Sequence, residues 1–235
     1  MIEEEIKKFI IENKITTTEV ADALGKTGDI PLCYPIDESI ENFQVGNVKS
    51  LFCANGSNWE LHKEVDNISE NDIAIIFTEN CHGKAIFGEL VSEYILKIRK
   101  AKAIVVHGLV RDYQALQENR FPIWCFGKTP IGCVNKPSIE FNSELRNDIA
   151  TKYDGGIAIC DNNGVIVVQK KYSNTDFLTK LKLLKDQENV WSYCLREMGW
   201  NTHKTIVDKA YLDTNFDSPK NIKDAIERLK LFSNK

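Results

Sequence analysis

No apolar run in this chain reaches the ~18 residues that a membrane span requires, and the opening Met1-Ile2-Glu3-Glu4-Glu5 is too acidic and polar for a signal peptide. The chain therefore reads as cytoplasmic, with no membrane partner. The seven cysteines, at 33, 53, 81, 125, 133, 160 and 194, contain no Cys-x-x-Cys pair. The closely spaced Cys/His pairs of a structural zinc site are lacking as well. Several of these cysteines lie inside apolar runs, as in Trp124-Cys125-Phe126 and Ile159-Cys160, so they read as buried, reduced thiols of a reducing compartment. Basic charge is nowhere concentrated: 30 Lys and Arg are scattered among 34 Asp and Glu, for a net charge of −4. That excludes the clustered cationic surface on which nucleic-acid affinity rests. There is also no P-loop, no Gly-rich dinucleotide fingerprint and no Ser-His-Asp order. Without the dinucleotide fingerprint, a methyltransferase or dehydrogenase label loses its support.

What is present is an ordinary globular balance, 43% hydrophobic and 27% charged over 235 residues, enough for one domain with an extension or two small domains. Ile2, Ile6, Phe9 and Ile10 recur on one helical face over residues 2–13. Thr16 and Glu19 have capping-box spacing at the head of a second helix, which Gly25 and Gly28 end. Residues 47–54 read as a strand and 59–67 as a helix. Residues 72–78 carry Ile-Ala-Ile-Ile-Phe, the continuous apolar run of a strand buried on both faces. The polar 79–83 reads as a loop. Leu90, Val91, Tyr94, Ile95 and Ile98 make the apolar stripe of a helix over 88–100, and 103–106 and 121–126 read as further strands. Asp161-Asn162-Asn163-Gly164 between two β-rich runs marks a hairpin. A calcium loop would need further spaced acids that are missing. After residue 174 strand signals stop, and long helices are expected over 178–198 and 221–232, the second starting at Ser218-Pro219. The whole implies an α/β core over 1–174 with a mixed sheet, and a C-terminal helical extension over 175–235.

Two stretches could carry chemistry. Gly88-Glu89-Leu90 opens a helix, where unpaired N–H groups and the helix dipole favour a small carboxylate. His107-Gly108-Leu109-Val110-Arg111-Asp112 follows a buried strand, where sites of α/β sheets lie. An Arg-Asp pair offers a planar fork for an anion and an oxygen ligand for a hard cation. The same dipeptide also serves as a helix cap or a surface pair. His82 stands open between the surface and a substrate contact. His107 is either a general base or a strand-end histidine in a structural role. Trp124, Trp191 and Trp200 read as core or interface aromatics.

A longer pattern runs through the chain. Thr17-Thr18-Glu19-Val20-Ala21-Asp22-Ala23-Leu24 comes first, then Phe87-Gly88-Glu89-Leu90, then Val105-Val106-His107-Gly108-Leu109-Val110-Arg111-Asp112. Phe121-Pro122-Ile123-Trp124, Thr129-Pro130 and Asp161 to Val168 continue it. In this order they resemble the RraA-like family, which contains 4-hydroxy-4-methyl-2-oxoglutarate aldolase, oxaloacetate decarboxylase and the regulator of ribonuclease E activity A. The resemblance implies a swivelling β/β/α core assembled as trimers or hexamers, with sites between subunits and a magnesium or manganese cofactor. It implies that Asp112 holds the metal and that Arg111 contacts a small 2-oxo acid and steadies its enolate. It further implies that Gly88, Glu89 and Leu90 bind the carboxylate, and that an acid on the C-terminal helix of a neighbouring subunit, Glu188, reaches the metal.

The chain departs from that pattern in two places. One residue more separates Glu89 from Arg111 than in the family's aldolases, an insertion around Lys97–Lys102 that is either absorbed at the helix end or shifts the loop. Ala115 stands where the pattern has an acid. The expected activity is a metal-dependent aldol cleavage or decarboxylation of a small 2-oxo acid. The alternatives are a non-catalytic, protein-binding regulator of the ribonuclease E inhibitor type, or a member recruited to a specialised biosynthetic pathway.

Overall fold

Ile73, Ile75 and Phe77 alternate along one strand with Ala74 and Ile76, and all five are buried. The first three pack with Val48, Phe52, Val105 and Trp124 on one face of a sheet; the other two pack with Leu51, Cys53, Ile104 and Val106 on the opposite face. Apolar side chains on both faces require cover on both faces, and the helices supply it. The computed structural model describes residues 1–39, 42–213 and 216–233. The chain divides into two compact units, Met1–Asn174 and Thr175–Lys235.

The first unit begins with α1 (Ile2–Glu12), α2 (Thr17–Ala23), β1 (Tyr34–Pro35), β2 (Gln44–Ala54), α3 (Trp59–Glu64), β3 (Asp72–Glu79), β4 (Ala85–Phe87) and α4 (Glu89–Glu93). It continues with β5 (Ala103–Val106), β6 (Leu109–Val110), α5 (Tyr113–Glu118), β7 (Ile123–Cys125), β8 (Gly127–Lys128), α6 (Ser143–Tyr153), β9 (Ile157–Asp161) and β10 (Gly164–Val168). A seven-stranded sheet has the order β1-β7-β5-β3-β2-β9-β10. Its centre, β7, β5, β3 and β2, is parallel, and β1, β9 and β10 add antiparallel edges. The sheet is thus mixed, as expected. A second, three-stranded parallel sheet has the order β4-β6-β8.

Local chemistry accounts for the boundaries. The capping box at α2 is complete: Glu19 N–H donates to Thr16 Oγ1 at 3.2 Å, and Thr16 N–H to the Glu19 carboxylate at 2.7 Å. The expected strand over 121–126 shrinks to Ile123–Cys125 because Pro122 has no N–H to give. The hairpin turns on Asn162 and Asn163, with Asp161 paired to Gly164, so its left-handed position falls on Gly164 (φ +139°).

Asp161 does more than close that turn. Its buried carboxylate accepts from Thr17 N–H at 2.8 Å, Thr17 Oγ1 at 2.7 Å and Asn163 N–H at 2.8 Å. Its carbonyl accepts from the indole N–H of the fully buried Trp124 at 2.8 Å. One residue therefore ties α2, the hairpin and the sheet core together.

In the second unit, α7 (Thr175–Arg196) and α8 (Lys220–Ser233) enclose Val190, Cys194, Tyr211, Ile222, Ala225, Ile226 and Leu229. Trp191 and Trp200 pack against this small core. Arg228 meets Asp186 through two bonds of 2.7 and 2.8 Å. No helix among the described residues is long and apolar enough to cross a membrane.

The Asp161 network gives a stability prediction. Asp161→Ala leaves the buried Thr17 donors unpaired and should cost about 3 kcal/mol, read as a lower denaturant midpoint at unchanged slope. A loss under about 0.5 kcal/mol would mean that solvent replaces these bonds.

Candidate active site

The small sheet aligns the site. β4 pairs with β6 in parallel, Phe87 opposite Val110, so the residues that follow, Gly88 and Arg111, emerge side by side. Arg111 N–H donates to Phe87 O at 3.0 Å and holds that alignment. Leaving β6, the chain enters α5 through Asp112, whose φ of +55° is a left-handed conformation rare outside glycine. This turn swings the Asp112 carboxylate back over α4, where its Oδ2 accepts from Glu89 N–H at 3.2 Å. Gly88 permits the approach, because a Cβ there would collide with that same oxygen.

The guanidinium lies on the far side. Arg111 Nε is 3.7 Å from Asp112 Oδ2, and a Cβ at Gly132 would stand 2.8 Å from Arg111 Nη1. Gly88, Leu90, Arg111, Asp112 and Gly132 line a cavity of about 230 Å³ together with Asn58, His62 and Asn135. Asn58 is the N-cap residue of α3 and His62 lies one helical turn further on; neither was anticipated from the sequence. Asn58 is 7% exposed; its Nδ2 donates to Ile86 O at 3.0 Å, while its buried Oδ1 has no hydrogen-bond partner among the described residues. The one sign of it in the sequence is the polar Asn-Gly-Ser-Asn run at the end of an apolar strand.

The structure places the other expected residues as follows. The Glu89 side chain turns away from Arg111 and accepts from Asn119 Nδ2 at 3.3 Å, so only its backbone serves the site. Leu90 is 80% exposed at the cavity rim. Ala115 follows Asp112 on α5 and brings no donor. Glu188 belongs to α7 of the second unit. His82 is exposed and is not among the cavity-lining residues. The His107 ring packs edge-on against Phe126, centroids 4.4 Å apart, and lines a separate groove with Phe77 and Tyr153. Burial pulls its pKa down, which suits a packed neutral ring.

Between Glu89 and Arg111 the helix changes its winding. The α-helical Glu89–Glu93 passes into a π turn over Tyr94–Ile98, closed by Arg99 N–H to Tyr94 O at 2.9 Å. A π turn holds more residues than an α turn. The expected helix over 88–100 is thus α only at its start, and the Gly88 loop keeps its place beside Arg111.

Among the described residues, no group of three or more His, Cys, Asp and Glu could hold a metal ion. The cavity offers one carboxylate, Asp112, together with the Asn58 and Asn135 amides, the Arg111 guanidinium, the His62 imidazole and the Cys133 thiol. Its carboxylate and amide oxygens fit magnesium or manganese, which keep several waters and take one or two protein carboxylates beside substrate oxygens.

Two predictions follow from this geometry. Gly88→Ala should displace the Asp112 carboxylate and abolish ligand binding at Arg111 while circular dichroism stays native; unchanged binding would mean that the close approach is incidental. For His107, the folded pKa lies below the unfolded one, so its contribution to stability is complete above the ordinary histidine range and is lost as pH falls. His107→Gln should therefore flatten the decline in Tm between about pH 7 and about pH 5. An equal slope in both proteins would remove His107 from the acid response.

A family model described as RraA-like: Aldolase/RraA matches residues 17–167. A protein of Halalkalibacterium halodurans named "Putative 4-hydroxy-4-methyl-2-oxoglutarate aldolase" is 29% identical over 167 residues, covering 66% of this chain and 73% of that protein. Among solved structures, an uncharacterized protein from Pseudomonas syringae pv. tomato superposes with a TM-score of 0.64 at 14% identity, over 84% of this chain and 94% of that one. Streptomyces coelicolor RraAS2, described as an unusual member of the RNase ES inhibitor RraA protein family, gives 0.59 at 17% identity, over 75% and 91%. At these identities the two structures share the fold with this chain.

Proposed function

The chain belongs to the RraA-like family, and on that premise we propose that it is a cytoplasmic, divalent-metal-dependent carbon–carbon lyase acting on a small 2-oxo acid. The observation that carries this reading is the convergence of Gly88, Arg111 and Asp112 on one cavity, enforced by the β4–β6 register and by the missing Cβ at Gly88.

Cleavage next to a 2-oxo group leaves negative charge on an enolate oxygen. Arg111 is placed to receive that charge: its guanidinium is always cationic and rests against Gly132. The backbone N–H groups at Glu89 and Leu90 would take the substrate carboxylate, Glu89 N–H exchanging its bond to Asp112 for one to the ligand. Asp112 would hold magnesium or manganese, with Glu188 of the partner subunit in support. The metal, when bound, supplies Lewis-acid polarisation of the 2-oxo group. Asn58 and His62 would bound the part of the substrate that leaves. Ala115 moves no proton, so the enolate would be protonated from the open cavity.

Leu90, which lines the cavity, is 80% exposed, and the exposed Ile131 (59%) and Val134 (50%) flank the lining residues Gly132 and Cys133 in the chain. Apolar side chains around a polar site favour a homo-oligomeric assembly, a trimer or hexamer, over a free monomer.

A second reading draws on one observation. The site has no carboxylate at Ala115, as a binding surface without turnover would allow. The chain would then be a protein-binding regulator.

The two are separated by pyruvate release from oxaloacetate and from 4-hydroxy-4-methyl-2-oxoglutarate. Turnover should require magnesium or manganese and stop with a chelator. Asp112→Asn and Arg111→Lys should each lower it by about 10²-fold or more. No release from well-folded protein on either substrate would sink the lyase reading. Capture of a partner that survives Asp112→Asn but not deletion of residues 175–235 would then support the regulator.

A further inference from the structure

Three loops meet behind Gly132 and bring two thiols together. Cys81 sits in the turn after β3, where Lys84 N–H donates to its carbonyl at 3.2 Å and its Sγ lies 3.4 Å from Glu79 O. Cys133 is clamped on both sides: its N–H donates to Ala85 O at 2.9 Å, and the neighbouring Val134 N–H to Gly56 O at 3.0 Å. Gly132 pairs with Ala85 as a parallel bridge. These bonds fix the 131–135 segment against the 79–85 turn and set the Cys133 thiol beside Cys81. Cys81 belongs to the apolar cluster under the sheet, and Cys133 packs on that cluster from the cavity side.

The surroundings of the pair differ from those of the remaining cysteines. The Cys133 thiol, Gly56 N–H and the Lys84 ammonium face the Cys81 sulfur. Together they outweigh burial and bring Cys81 down to about 7, while the neighbouring Cys81 sulfur and burial push Cys133 up. Burial raises Cys33, Cys53, Cys125, Cys160 and Cys194. A packing role needs no such arrangement, since Cys53 fills the same cluster without one.

We propose that Cys81 and Cys133 form an oxidation site, a thiol pair that a hydroperoxide converts into an intramolecular disulfide. The Cys81 thiolate attacks the peroxide oxygen; the O–O bond breaks, and the leaving oxygen takes a proton and departs as water or an alcohol. The Cys133 thiol then attacks the resulting Cys81 sulfenic sulfur, its proton goes to the departing hydroxide, and water leaves as the S–S bond forms. The two thiols lose two electrons and two protons, and the hydroperoxide gains them. In a reducing compartment such a bond is transient, as suits a sensor.

Closure has a mechanical consequence. An S–S bond of about 2 Å replaces a non-bonded contact, so the 131–135 segment is drawn toward the 79–85 turn. Gly132, next to Cys133, is the wall against which Arg111 Nη1 rests. Oxidation therefore moves the support of the guanidinium. This regulatory effect rests on Arg111 being the anion-binding group of the proposed function; the disulfide does not.

The full-length chain is treated with a small excess of hydrogen peroxide, the remaining thiols are alkylated, and non-reduced digests are mapped by mass. The expected result is a Cys81–Cys133 cross-linked peptide that dithiothreitol reverses. Cys133→Ser should stop the reaction at a Cys81 sulfenic acid trapped by dimedone. In parallel, phenylglyoxal modification of Arg111, which needs no lyase activity, should change severalfold in rate on oxidation of the native chain and not in Cys133→Ser. Both thiols remaining alkylatable, or a disulfide elsewhere, would overturn the site. A mapped disulfide with an unchanged Arg111 rate would overturn the coupling.

Discussion

The carboxylate of Asp112 occupies the space where Gly88 would carry a side chain, and the site is organised around that approach. For the carboxylate to reach α4, Asp112 adopts φ +55°, a conformation that costs a non-glycine residue on the order of 1 kcal/mol or more. Its bond to Glu89 N–H offsets the cost on one side, and the start of α5 does so on the other, where Leu116 N–H donates to Asp112 O at 3.1 Å. Remove any of the three and the guanidinium loses its neighbour.

The approach is set in turn by very short elements. β4 and β6 contain only three and two residues, yet their register decides that Gly88 and Arg111 leave the sheet together. They can be so short because Ile86, Phe87 and Val110 are fixed in the core cluster under β3 and β5. Between them, the helix that starts at Glu89 widens into a π turn at Tyr94–Ile98. Rigidity at the strand ends and slack at the helix end together keep the geometry.

This division explains what the sequence revealed and what it concealed. Strands buried on both faces announce themselves as apolar runs, and β3 and β5 lie where those runs lie. The capping box of α2 and the turn of the Asp161 hairpin were equally plain, since backbone chemistry within a few residues decides them. Arg111 and Asp112 stood out by type and by position after a strand, and Gly88 by its place at the head of an expected helix. α6 gave no signal because none of its residues is fully buried, leaving no apolar stripe to detect. β4, β6 and β8, of three, two and two residues, are too short to show an alternation. Asn58, His62 and the Cys81–Cys133 pair depend on loops that meet only in three dimensions, and the turning of Glu89 toward Asn119 is a tertiary choice between two polar neighbours.

One property of the site bears on every functional reading of it. The Arg111 and Asp112 side chains are 51% and 47% exposed, and their ion pair spans 3.7 Å. An ion pair so wet contributes little by itself, and a guanidinium stabilises developing charge far better where water is excluded. Gly88, Gly132 and the exposed Leu90 are among the residues that line the cavity, and the exposed Ile131 and Val134 flank Gly132 and Cys133 in the chain. A surface that covers those three apolar residues would dry the guanidinium without touching it, and would gain from burying them. The same cover serves a lyase, which needs a dry enolate, and a binding protein, which needs a sealed contact. Chemistry at the covered cavity, rather than the cover itself, therefore distinguishes the two.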